Sequence, residues 1–519
     1  MKNLIFHREK IRYLEQGGEE MNEILANYPR EPPILQPPQF KKEAVYENNM
    51  AVFEVIDETA KTAAKDNWKT FTKLVRFLVG RCSSDVDKAR AIFRFITEKK
   101  FNYRVWFLYY PEEGNTRGAP TELLRGVEFG IETRALLFKR MCAFAGLHAI
   151  VIKGYCKAKD YKPSEEFLDS RWRNAWNAVF VGGGWRLVQP YWAAMSVNTK
   201  AAREMRQIYQ DHYFLTDADK FIFEFFPKAA EHQFLEHPIT MEEFVNLPLL
   251  RSTFFHFGLG LARSEGLIQA SVNTDDRGEA NIYLNSQNDV SFHYTLSNFK
   301  TGSTSVKAPG GKFPLARYVM MSTKDEETNF NVHVPGKGSY LLEVGAARYP
   351  TSQECLAQKP IYYINVCKFK IVCKSVEKVM VPLPDCVPGE WGPTKAEKLF
   401  GLKGVSHPMP IIYAAPPSYI DLRQDTRDLT LNIEFEKTRP VLDFVTRLFK
   451  NGVKEEQLKQ GARYRIKDNY VIFDIKVQFL KVLPLFVDGI VMLKLIISWT
   501  FKDQSRALNH LSVVNCDST

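Results

Sequence analysis

Residues 171–192 read RWRNAWNAVFVGGGWRLVQPYW. Two apolar runs flank three consecutive glycines, and that pattern predicts a β-hairpin about a Gly-rich turn. The stretch also carries two amide side chains fifteen residues apart, Asn174 and Gln189.

The chain has 519 residues, too many for one core, so about two to four domains are expected. Hydrophobic residues make up 45% and charged residues 25%, the balance of a globular chain rather than a disordered one. The net charge of +10 suits acidic partners such as filaments or an anionic surface. The basic residues are scattered and no basic stripe with interleaved aromatics occurs, so nucleic acid is not expected. The start, MKNLIFHREKIRYLEQ, lacks the uninterrupted apolar core of a signal peptide. VLPLFVDGIVMLKLII is interrupted by Asp488 and Lys494 and rich in β-branched residues, which predicts buried strands rather than a transmembrane segment. A cytoplasmic location is the resulting expectation.

Along the chain, 1–45 is polar and then Pro-rich (NYPREPPILQPPQF), predicting a flexible arm with a weak hint of a proline-rich recognition segment. NWKTFTKLVRFLVG and DVDKARAIFRFITEKK have helical periodicity, with Asp85 as the expected N-cap of the second. A long buried helix is expected from about Gly130, then a strand over HAIVIKGYCKA and the opening hairpin. Together these define a globular unit over 46–200. Residues 201–261 turn helical again and are read as a connector, with Thr240 at a helix start. From 262 short alternating runs separated by Gly, Asn and Asp predict a β-sandwich over 262–378. A Pro- and Gly-containing linker, 379–404, leads to a second module over 405–512. The order of runs in that module echoes the first, and both rounds open with Phe-Gly-Leu, which reads as a weak tandem repeat.

AIFRFIT, LLFKRMCAFAGL, IKGYCKAKDY, NAWNAV and WRLVQPYW follow one another with the order and spacing of a transglutaminase-like domain. With the helical bridge and two β-modules, the chain over roughly 50–510 resembles the kyphoscoliosis peptidase and hillarin group of cytoskeletal transglutaminase-like proteins. The resemblance implies an α+β fold class: a papain/transglutaminase-like domain, a helical connector and two all-β sandwich modules. It also implies a thiol nucleophile at a helix N-terminus, where the dipole and an imidazolium stabilise the thiolate, with an acid orienting the imidazole. Carried over one at a time, the nucleophile falls on Ile131, seven residues before Phe138. The histidine falls on Asn174 and the aspartate, fifteen residues on, on Gln189. None of the three replacements can take the role: Ile131 has no nucleophile, Asn174 no proton affinity near neutral pH, and Gln189 no carboxylate.

The expected function is therefore that of a catalytically inactive, cytoskeleton-associated binding or scaffold protein whose partners are cytoskeletal or filament-associated proteins. The alternative is an active cysteine peptidase or protein-glutamine crosslinker whose nucleophile has moved, with Cys156 at a strand exit or Cys142 on an apolar helix face as the thiol. A third reading is a structural spacer. His148 reads as structural. Trp176, Trp185 and Trp192 read as packing the hairpin onto the helix, the alternative being a cleft lined by Trp176 and Trp192. Cys355, Cys367, Cys373 and Cys386 cluster without a CxxC pair or an intervening histidine, so they read as buried thiols, and neither metal nor cofactor is expected.

Overall fold

The computed structural model describes residues 31–46, 50–66, 68, 71–99, 133–158, 160–194, 196–197, 206–207, 209–261, 269–287, 289–308, 311–324, 326–349, 361–376, 382–383, 402–404, 430–437, 443–449, 454–458, 460–476, 494–500 and 511–513. The fold is α+β with β-sandwich modules. Two compact units divide it, one comprising residues 1–161 with 166–244, the other 162–165 with 245–519.

In the first unit, helices α1 (Glu54–Lys65), α2 (Phe71–Val79) and α3 (Asp85–Glu98) precede α4 (Arg134–Phe144). The N-cap of α3 is Ser84, not Asp85. Its hydroxyl accepts from the Asp87 amide at 3.1 Å while the Asp87 carboxylate accepts from the Ser84 amide at 3.0 Å, a reciprocal capping box. Asp85 occupies the first helical position and pairs with Lys88. Helix α4 is capped by Thr133 and buries Leu137, Phe138, Met141 and Cys142. It lies on the antiparallel sheet whose order is β3 (Gly184–Val188), β2 (Arg173–Val181), β1 (Ala149–Cys156), β4 (Phe225–Pro227). The β2–β3 hairpin turns at Gly182 and Gly183, both at positive φ, as the run of glycines predicts.

Strand β4 was expected to be helical. Pairing decides otherwise: Phe225, Phe226 and Pro227 stand opposite Cys156, Tyr155 and Gly154 and complete the sheet edge. At Gly154 a Cβ would lie 2.1 Å from the Phe226 carbonyl oxygen and 2.5 Å from the Trp176 ring. Glycine is what lets β4 and Trp176 close on β1.

A buried charge network joins the helices to the segment after the sheet. Arg90 is 1% exposed and donates to both Asp57 oxygens at 2.8 Å and to Asp211. Tyr209 donates to Asp211 at 2.8 Å, and Lys42 donates to the Phe214 carbonyl at 2.9 Å. Burial works against the Asp211 charge, but Arg90 and Lys42 outweigh it and hold the carboxyl below its usual range.

Residues 31–46 depart from the loosely packed arm expected of their composition. The Trp185 indole donates to the Ile34 carbonyl at 3.0 Å and the Lys42 amide to Asp217 at 2.8 Å, while Leu35 and Val45 pack against the core. Proline content left the segment extended, and the acidic surface across from Lys41 and Lys42 seats it. Residues 1–30 lie outside the described residues.

The second unit opens within the stretch read as a connector. β5 (Leu249–Leu250) and β6 (Leu259–Leu261) pair into sandwich sheets. With β7 (Ser271–Asn273), β8 (Glu279–Ser286), β9 (Val290–Asn298), β10 (Val319–Lys324), β11 (Glu327–His333), β12 (Gly338–Arg348) and β13 (Ile364–Cys373), the sheet orders are β10-β11-β8-β6 and β9-β12-β13-β5, with β7 parallel to β13. The two faces meet through Phe292 and Phe330, 5.8 Å apart edge to face, and through the Tyr294 hydroxyl, which donates to the Val319 carbonyl at 2.9 Å.

Strands β14 (Leu402–Gly404), β15 (Thr430–Lys437), β16 (Asp443–Phe449), β17 (Ala462–Lys467), β18 (Tyr470–Lys476), β19 (Lys494–Thr500) and β20 (Leu511–Val513) form sheets of order β17-β18-β15-β14 and β16-β19-β20. Taken in turn, β14, β15, β16, β17, β18, β19 and β20 repeat the pairing of β6, β8, β9, β10, β11, β12 and β13. The echo in sequence is an echo in topology. Of the apolar stretch 482–497, residues 494–497 lie in a strand, and 482–493 are outside the described residues.

Two outcomes test this account. Gly154→Ala is expected to destabilise the first unit by about 3 kcal/mol, the upper range of overpacking because backbone meets the new methyl, read as a lower urea midpoint of tryptophan fluorescence. Asp211 has a folded pKa below its unfolded value of about 3.9, so its contribution is present above that pH and lost as pH falls through the folded value. The Tm gap between wild type and Asp211→Asn is therefore expected to shrink as pH is lowered from 5 towards 2, and a constant gap would contradict the network.

Candidate functional site

The β1–β2 register sets Gly154 opposite Asn174 and Ile152 opposite Trp176. Side chains alternate along strands, so Cys156, Gly154 and Ile152 share a face with Asn174 and Trp176. Cys156 is thus the diagonal neighbour of Asn174, and the Asn174 Nδ2 donates to its Sγ at 3.3 Å. Val188 ends β3 opposite Asn177, and Gln189 follows as the N-cap of the one-turn helix Pro190–Ala193. There its Oε1 accepts from the Tyr191 amide at 3.2 Å. Its Nε2 donates to the Asn174 Oδ1 at 3.1 Å and to the Ala175 carbonyl at 3.3 Å. The Gln189 backbone amide is held in turn by the Tyr213 carbonyl at 2.9 Å, which ties this position to the segment that Arg90 anchors.

Asn174 and Gln189 are therefore brought together. The third mapped position, Ile131, lies outside the described residues. Just after it the α4 N-terminus abuts β2, the Asn177 amide donating to the Ala135 carbonyl at 2.9 Å. Arg134, at the first turn of α4, lies over the ring of Tyr191 at 5.4 Å, and Tyr191 is half exposed. Sequence reading passed over both residues and over the Cys156 contact. The signal for the last was present: two positions that share a sheet face on a predicted strand pair.

Chemically, the described site is a row of amides. Gln189 is fully buried and Asn174 half-buried, and neither titrates. A carboxamide can orient a neighbour but cannot accept a proton from a thiol at neutral pH. Cys156 is itself buried. Cys142 is sealed in the core, and burial pushes its thiol well above the ordinary range. His148 precedes β1 at the end away from Cys156, roughly 25 Å along an extended strand, and burial lowers its pKa despite a hydrogen bond to the Glu31 backbone. Trp176 packs against Phe221 and Phe225, and Trp192 against Phe225 at 4.5 Å and Tyr213. Both indoles are buried in the hydrophobic core cluster among the described residues. Among the described residues no group of three His, Cys, Asp or Glu is placed to hold a metal ion. Cys367 and Cys373 are buried on β13, while Cys355 and Cys386 lie outside the described residues.

A family model described as "KY-like, immunoglobulin-like domain" matches residues 241–384, the stretch that holds β5 to β13. Hillarin of Drosophila melanogaster is 42% identical over 467 residues, 87% of this chain and 54% of that protein. The LIM and transglutaminase domain protein ltd-1 of Caenorhabditis elegans is 37% identical over 90% of this chain and 62% of its own length. Mouse kyphoscoliosis peptidase is 26% identical over 71% of this chain and 50% of its length. The chain is a relative of the hillarin and kyphoscoliosis peptidase group. It spans about half to three-fifths of the length of these relatives. The group resemblance carried by the sequence motifs is thereby met by whole-chain similarity, and the KY-like domain begins within the stretch read as a connector.

Removing Asn174 tests the row of amides. Asn174→Ala leaves the buried Gln189 amide with one acceptor fewer and Cys156 without its donor, at an expected cost of about 1–3 kcal/mol. Chemical denaturation of both proteins checks it. A cost near zero would mean that the row is not formed.

Proposed function

We propose that this chain is a catalytically inactive member of the hillarin and kyphoscoliosis peptidase group, acting as a cytoskeleton-associated binding or scaffold protein. The observation that carries the reading is the hydrogen-bonded pair Asn174–Gln189, two uncharged amides at the positions where the group resemblance puts a histidine and an aspartate. In this reading the first unit is a transglutaminase-like domain over 46–200, joined through 201–261 to sandwich modules over 262–378 and 405–512, and Ile131 takes the place of the nucleophile. Support for a cytoskeletal setting comes from relatives: one of Schizosaccharomyces pombe, 27% identical over 177 residues, is named cytokinesis protein 3. No helix among the described residues is long and apolar enough to cross a membrane, and the proposed setting is cytoplasmic.

Cysteine–histidine sites act as a unit, and losing one member removes about a million-fold in rate in comparable triads. What remains is on the order of a thousand-fold over water. Purified protein is accordingly expected to show neither amine incorporation nor peptide cleavage. Ile131→Cys alone is expected not to restore turnover, since the new thiol would still lack a general base. In co-sedimentation the full chain is expected to pellet with assembled actin or microtubules at physiological salt. Failure to pellet with either would favour a spacer.

The competing reading is a cysteine enzyme with a moved nucleophile, and the Asn174–Cys156 contact is what favours it. Turnover by wild type that disappears in Cys156→Ser would establish that reading and overturn ours.

A further inference from the structure

Segment 31–46, EPPILQPPQFKKEAVY, holds four prolines and then two adjacent lysines. It lies along the β-hairpin of the first unit and is fixed at three places. The Trp185 indole holds the Ile34 carbonyl. The hairpin glycines make room for it, since a Cβ on Gly184 would stand 3.0 Å from Pro38 and one on Gly182 2.9 Å from Val45. The stretch 211–219 supplies three carboxylates: Asp219 pairs with Lys41, Asp217 accepts from the Lys42 amide, and Asp211 pairs with the Lys42 ammonium at 3.5 Å.

We propose that this groove is a recognition surface for an extended, proline-containing segment ending in paired lysines, occupied in cis by residues 31–46 and open in trans to a protein partner of that chemistry. The inference is independent of whether the unit is catalytic. Three features carry it. Each element of the groove matches one property of such a ligand: an indole N–H for the carbonyls of an extended chain, a side-chain-free turn for proline rings, and carboxylates for the lysines. The cis occupant is also an imperfect fit. Arg186 and Asp217 are both almost fully buried, yet Arg186 Nε and Nη1 and Asp217 Oδ2 have no hydrogen-bond partner, and the ion pairs they do make, Arg186–Asp217 and Lys220–Asp217, are long at 3.7 and 3.6 Å. Finally, the hold is partly solvent-exposed. Ile34 and Phe40 are 79% and 63% exposed, and the Lys41–Asp219 and Glu43–Lys220 pairs lie at the surface, where salt screens them.

The test uses a fluorescein-labelled peptide of residues 31–46 and three full-length proteins, followed by anisotropy. In wild type the tethered segment competes at high effective concentration. The double variant Lys41→Ala/Lys42→Ala weakens that competitor and is expected to bind the peptide at least about tenfold more tightly than wild type, with affinity falling as salt rises. Adding Asp217→Asn/Asp219→Asn to that variant is expected to abolish binding. Equal binding by wild type and the double variant, or a folded double variant that takes up no peptide, would overturn the proposal. So would light scattering showing wild type to be a dimer that exchanges this segment between copies. Should the double variant fail to fold, hydrogen exchange on wild type decides. Lys42 and Ala44 amides exchanging well before those of the β1–β2 pair support a displaceable strap, and equal protection refutes it.

Discussion

The first unit depends on the close approach at Gly154. With no side chain there, the Trp176 ring crosses β1 and the backbone of β4 comes in against it. That single contact sets several others. It places Phe225 and Phe221 under the indole, and it closes the sheet with a strand from beyond the hairpin. It also fixes the face on which Cys156, Asn174 and Trp176 all stand. Any larger residue would push strand against strand, and a packed interior has no slack to absorb the shift.

Two kinds of buried polar arrangement meet in this unit, and they differ in kind. Around Arg90 the charges are real and are balanced within hydrogen-bonding reach by Asp57 and Asp211, with Lys42 at the rim. An isolated charge at that depth would be far too costly, so the network stands or falls together. Around Gln189 the groups are neutral, and each amide finds its partners in neighbouring amides, backbone and a thiol. The first arrangement supports the second through the 209–214 segment, whose Tyr213 carbonyl holds the Gln189 backbone.

In the second unit the organising feature is repetition. Seven strands of the first module have counterparts, in order and pairing, in the second. Short edge strands, β6 and β14, open each round from a Phe-Gly-Leu sequence. The KY-like domain of the group covers the first round.

Much of this was written in local patterns. The hairpin followed from two apolar runs about glycines, the buried helix from apolar residues all around LLFKRMCAF, and the sandwiches from short alternating runs. Asn174 and Gln189 were singled out by the family resemblance, and the hairpin sets them side by side. Where reading by sequence alone failed, long-range partners decided. Phe225–Pro227 looked helical among helical neighbours, yet the open edge of β1 offered hydrogen bonds that a strand alone could take. Residues 249–261 looked like the end of a connector, yet strand edges in the second unit drew β5 and β6 into sheets. Prolines announced an extended segment at 31–46 but not that an indole and three carboxylates, all more than 140 residues away in sequence, would seat it. Periodicity and turn chemistry act between near neighbours and are legible one residue after another. Which edge is paired, which tryptophan is covered and which thiol meets an amide depend on groups far apart in the chain, and only the folded arrangement brings those together.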